Sequence, residues 1–92
     1  MEEELKKELY EMQEREWEKE LRKLKTYKEP VYRAILLNSL YMLARADPKK
    51  LDYLKEIVEK DVYIRDADKE LLLDRIERTR RARLEKKLEY VI

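Results

Sequence analysis

Apolar residues recur along this chain at steps of three and four, and short charged or proline-containing breaks separate the segments they mark. From Glu2 to about Lys25, Leu5, Leu9, Met12, Trp17, Leu21 and Leu24 follow at steps of 4, 3, 5, 4 and 3. That spacing predicts one long helix with a single apolar stripe. A skip falls in its middle, where Glu16 points along the stripe and Glu20 sits close to it. Glu2, Glu3 and Glu4 suit the positive end of the helix dipole. The next segment, Val31 to Ala46, is apolar on nearly every side. At roughly 100° per residue its polar strip is Ala34, Asn38, Tyr41 and Arg45, with Arg33 alone on the far side. A helix of this kind is expected to lie buried among others.

The break before that helix has two readings. Thr26 to Glu29 fits a capping box that would start the helix at Tyr27. Alternatively Pro30 is the first helical position, and Glu29 is pushed out of helix by the proline after it. Asp47-Pro48 joins a capping side chain to a proline at the first helical position. A third helix follows, with Leu51, Leu54, Ile57, Val58 and Val62 on one face. Val62-Tyr63-Ile64 reads either as its fraying end or as a short extended connector. Asp66 is the expected cap of a fourth helix from about Ala67 to Tyr90. Leu72, Leu73, Ile76, Leu84, Leu88 and Val91 share its apolar face, interrupted by Arg80, Arg83 and Lys87.

These elements predict an all-α fold in one domain, residues 1–92. Short connections make an up-down four-helix bundle the economical arrangement, with long first and last helices and a buried second helix. The first and last helices would lie antiparallel and project beyond the shorter pair. Leu5, Leu9 and Met12 would then meet Leu84, Leu88 and Val91 with incomplete cover, and an uncovered apolar patch usually marks a partner. Glu16 and Glu20 are expected opposite Arg80 and Arg83, as a polar layer that sets register.

Composition narrows the chemistry. Hydrophobic residues make up 43% and charged residues 49%, and at helical spacing this favours amphipathic helices over disorder. The chain has no glycine, histidine or cysteine. The first absence removes phosphate-cradling loops, the second the usual base near neutral pH, and the third thiolate and disulfide chemistry. Ser39, the one serine, sits within the apolar helix. The protein is therefore expected not to be an enzyme and to need no cofactor or metal. The acidic start is unlike a signal peptide, and the longest uncharged run, Ala34 to Ala44, falls short of the ~20 residues that span a bilayer. A soluble, cytoplasmic protein without membrane or small-molecule partners is the expectation.

Arg75, Arg78, Arg80, Arg81, Arg83, Lys86 and Lys87 stand against only Glu77 and Glu85. Such a run could hold phosphates, with Arg75, Arg78 and Arg81 as the candidate contacts. A net charge of +1 supplies no overall field for nucleic acid, and a solvated helix end is the simpler reading. Carboxylate pairs such as Glu56 and Glu59 point away from the apolar stripe and would not converge in a core site. The tyrosines, spread over several helices, read as rings at core margins with wet hydroxyls.

In style the chain resembles computationally designed helical bundles. Glu, Lys and Arg cover the surface, Leu fills the interior, Asp or Thr caps the helices and Asp-Pro marks a turn. The resemblance implies a scaffold or a binding module without catalysis. A hyperthermophile protein would share the charged surface and the shortage of Asn, Gln and Cys. The leading expectation is a non-enzymatic scaffold or protein-interaction module that binds a protein partner or a second copy. The alternative is nucleic-acid binding by the basic fourth helix.

Overall fold

In the computed structural model the backbone is described from Glu2 to Val91 and the side-chain surroundings from Glu2 to Leu84. Every regular element among the described residues is a helix: α1 (Glu2–Thr26), α2 (Pro30–Ala44), α3 (Pro48–Lys60) and α4 (Asp66–Val91). At 1.5 Å per residue the outer helices are each about 38 Å long and α3 about 20 Å.

The breaks follow backbone chemistry. Proline disfavours helix in the residue before it, and Glu29 is extended at φ −70°, ψ 128°, leaving Pro30 to begin α2. The capping-box reading of Thr26 gives way, because Thr26 continues α1 and its hydroxyl donates back to the carbonyl of Arg22 (3.3 Å). Asp47 caps α3 as its sequence predicts, its carboxylate accepting from the Lys49 N–H at 3.0 Å. α2 stops at Ala44 rather than Ala46, with a turn closed by Asp47 N–H donating to the Ala44 carbonyl at 2.8 Å. Residues 61–65 form a bent connection, so Val62 to Ile64 belong to neither helix. Asp66 lies inside the first turn of α4, where Lys69 N–H already bonds the Arg65 carbonyl (3.0 Å), and with Asp68 it faces the positive end of the dipole.

The core is drawn from all four helices and the last connection. Leu36, Leu37, Leu40 and Ala44 of α2 pack with Trp17 and Leu24 of α1, Leu51, Leu54 and Val58 of α3, Ile64, and Leu72 and Ile76 of α4. α2 packs against each of the other three helices, and α3 also packs on α4. Side chains join α1 to α3, where the Trp17 and Tyr53 rings lie tilted at 6.5 Å.

Two expectations are overturned. Among the described residues no Cα of α1 comes within 8 Å of a Cα of α4. The outer helices flank the α2–α3 pair instead of closing on each other, in a body 15 Å deep in its thinnest direction. α2 is also not enclosed. One face of it is left open, where Val31, Ile35 and Met42 are 47%, 57% and 54% exposed.

Leu37 and Leu40 are fully buried, so truncating either to alanine should cost about 2–5 kcal/mol in urea denaturation. Ile35→Ala, on the outer face of the same helix, should cost less than about 0.5 kcal/mol. Equal losses on both faces would contradict this packing.

Candidate functional site

The most constrained polar group of the molecule is Arg33, the one charge on the core-facing side of α2, and it is 8% exposed. Its Nε and Nη2 both donate to Asp61 Oδ2, at 2.9 and 2.6 Å. Its Nη1 donates to the carbonyls of Leu24 and Tyr27, the latter at 2.6 Å. Those carbonyls belong to the end of α1, where helical backbone runs out of partners, so the guanidinium caps that helix. The other oxygen of Asp61 accepts from the N–H groups of Tyr63 (2.8 Å) and Ile64 (3.1 Å) and bends the chain toward α4. The Tyr63 ring covers the guanidinium at 5.0 Å. Burial pushes the Asp61 carboxyl up. Hydrogen bonds from Arg33, Tyr63 and Ile64, with the guanidinium charge, outweigh it and hold the group below its ordinary value.

Every donor and acceptor in this cluster is directed at another part of the same chain, so its role is structural. Sequence reading set Arg33 apart without assigning it a partner. A lone charge on an apolar face needs an opposite charge within the core. Asp61 follows Leu54 and Val58 at steps of 4 and 3, which continues the apolar stripe of α3 and sets it apart from Asp52, Glu56 and Glu59 on that helix.

A second cluster gathers on the first turns of α3. The Lys50 ammonium pairs with Glu14 and lies 5.8 Å from the Tyr10 ring and 5.6 Å from the Trp17 ring. Two positions on, Asp52 pairs with Arg80 of α4 at 3.2 Å. Both outer helices are therefore anchored at the same end of α3. Beyond those anchors α1 continues toward its start and α4 toward its end.

The anticipated polar layer is not formed. Arg80 pairs with Asp52 and, at 3.6 Å, with Glu77, while Glu20 pairs with Lys23 at 3.3 Å. Arg83 lines a shallow groove with Tyr41, Arg45 and Ala82. Glu16 lies on the outer side of α1 with Met12 and Lys19. These side chains cannot meet because α1 and α4 lie on opposite flanks.

The candidate partner-binding residues separate for the same reason. Leu5, Leu9 and Met12 are 61%, 59% and 55% exposed, and every residue from Glu2 to Gln13 is exposed. Leu84 is exposed on α4, whereas Leu88 and Val91 lie outside the described side chains. The α1 stripe is two stripes rather than one. At roughly 100° per residue, Leu5, Leu9 and Met12 centre about 120° around the helix from Trp17, Leu21 and Leu24. The second set faces the core, and among the described residues the first has no cover from α2, α3 or α4. Leu84 is similarly turned about 100° from Leu72 and Ile76.

The phosphate candidates divide by engagement. Arg75 donates to Asn38 Oδ1 at 3.0 Å and lies 5.6 Å from the Tyr41 ring. Arg78 pairs with Asp74 at 2.9 Å, and Arg81 is exposed. Lys55 bonds Glu77, and this hydrogen bond, with the lysine's charge, lowers the Glu77 carboxyl below its ordinary value. No described helix is long and apolar enough to cross a membrane. Comparison with protein-family models, curated proteins and solved structures finds no match to this chain.

Removing one member of a buried ion pair leaves the other uncompensated, so Arg33→Met should cost about 3–5 kcal/mol in urea denaturation at neutral pH. Asp61 has a folded pKa below its unfolded one, so its contribution is complete above the unfolded value of about 3.9 and lost as pH falls through the folded value. Stability of the wild type should therefore fall below about pH 4 more steeply than that of Asp61→Asn, which lacks this group. Parallel acid profiles for the two proteins would contradict the assignment.

Proposed function

We propose that this protein is a non-catalytic interaction module, an up-down helical bundle that presents the first three turns of α1 as a docking arm for another protein. One observation carries the reading. Leu5, Leu9 and Met12 form an exposed apolar row facing away from the direction in which the rest of α1 meets the core. A row left over from core packing would continue the line of Trp17, Leu21 and Leu24. This one is rotated from it, so lengthening the short helices along their own axes would still leave it uncovered.

Apolar side chains repeating at steps of 4 and 3 suit the face of another helix. Burying a leucine in such a contact is worth about 1.5–3 kcal/mol. The lack of histidine, cysteine and glycine supports the non-catalytic part of the reading. Nucleic-acid binding by α4 is less well supported, because Arg75 and Arg78 are already engaged with Asn38, Tyr41 and Asp74.

If the row serves docking and not folding, Leu5→Glu with Leu9→Glu should shift the unfolding free energy of the dilute chain by less than about 0.5 kcal/mol. A loss of about 2 kcal/mol or more, the scale of a core position, would return the row to the fold and remove the docking reading. Circular dichroism during urea titration makes the measurement.

A further inference from the structure

The two outer helices carry opposite charge where they leave the body. Beyond the anchors, residues 2–13 of α1 hold five glutamates against two lysines, and residues 81–91 of α4 hold four basic residues against two glutamates. Within one molecule, among the described residues, no Cα of one helix comes within 8 Å of the other. Both extend past the same end of α3, marked by the Lys50–Glu14 and Asp52–Arg80 pairs. The chain thus ends in an acidic prong and a basic prong, held apart by the width of the α2–α3 pair.

The apolar residues on the prongs match in spacing. Leu5, Leu9 and Met12 repeat at steps of 4 and 3, and so do Leu84, Leu88 and Val91. Leu84, where that second row begins, is 60% exposed. Around the rows the signs are opposed: Glu4, Glu8 and Glu11 are exposed on α1 and Arg81 on α4. Among the described residues none of these four has an ion-pair partner. Two rows of equal period, flanked by opposite charge and unable to meet within one chain, can meet between two.

We infer that the occupant of the α1 arm is the basic end of α4 from a second copy of this chain. A two-fold arrangement repeats the contact, each copy giving its acidic prong to the other's basic prong, so the assembly closes as a dimer. This rests on the docking reading of the α1 row and supplies its partner. Apolar contact provides the attraction, and the flanking charges select α1 against α4 over like pairings, in which similar signs would be set together.

Charge exchange tests the pairing by sedimentation equilibrium over a concentration series. One variant carries Glu4→Lys, Glu8→Lys and Glu11→Lys, making both prongs basic. A second carries Arg81→Glu, Lys86→Glu and Lys87→Glu, making both prongs acidic. Each alone should dimerise at least about tenfold more weakly than wild type, and an equimolar mixture should return to within about threefold of it. Far-UV circular dichroism and urea titration of each dilute variant verify that the monomer still folds.

Either variant dimerising as strongly as wild type overturns the proposal, as does a mixture no stronger than its parts. A wild-type chain that stays monomeric up to about 1 mM overturns it as well. That last result leaves the α1 row to a different protein, and the stability test of Leu5 and Leu9 then still decides the docking reading by itself. A chain monomeric alone that gains mass only with added duplex DNA assigns the basic prong to phosphate and also overturns the dimer.

Discussion

The pairing of Arg33 with Asp61 is the constraint on which the rest of the architecture turns, because it joins the ends of three helices and the entry to the fourth. Its guanidinium holds the carbonyls of Leu24 and Tyr27 where α1 ends, and its carboxylate holds the amides of Tyr63 and Ile64 in the connection to α4. Taking both charges out of water costs several kcal/mol per ion, and the pair recovers this through geometry and saturation. Two bonds from Arg33 reach one oxygen, two backbone amides reach the other, and an aromatic ring covers the top. An apolar pair of similar volume could match the stability but would leave the α1 carbonyls and the Tyr63 and Ile64 amides without partners. The ion pair therefore specifies which ends meet. The opposite end of the molecule is tied by Lys50, by Asp52 and by the Tyr41 and Thr79 hydroxyls at 2.6 Å, and the long helices run out past these ties.

Helix content and the positions of the breaks were legible because local chemistry sets them. Asp47-Pro48 supplies a cap and a fixed φ, and Pro30 excludes Glu29 from helix whatever packs nearby. The face of each helix was less legible where one period contained a defect. The five-residue step from Met12 to Trp17 looks like a skipped turn in a list of spacings, yet on a helix it moves the row to another side. α2 misled in a different way. Apolar residues all round it suggested full enclosure, but the extent of cover depends on where α1 and α4 lie, and no local pattern encodes that. Val31, Ile35 and Met42 stand exposed for this reason. Arg33 was visible as an exception and Asp61 lay on a regular stripe, so their meeting needed only the requirement that a buried charge be compensated.

The flanking arrangement of α1 and α4 also explains how uncovered helix persists. An isolated helix of about a dozen residues is marginal in water. The α1 prong is continuous with a packed helix, so it needs propagation but no new nucleus. Its sequence assists: Glu2 and Lys6, Glu3 and Lys7, and Glu11 and Arg15 are spaced four apart with the acid first, the favourable order. These local terms contribute only a few tenths of a kcal/mol each, so the prong belongs to the least stable part of the molecule. Charge thus supports the helix along its length. Leucines at Leu5 and Leu9 oppose that economy, since alanine or glutamate would keep the helix without exposing apolar surface to water. On the docking reading, contact with another molecule is the physical circumstance in which the cost of holding such side chains outward is recovered.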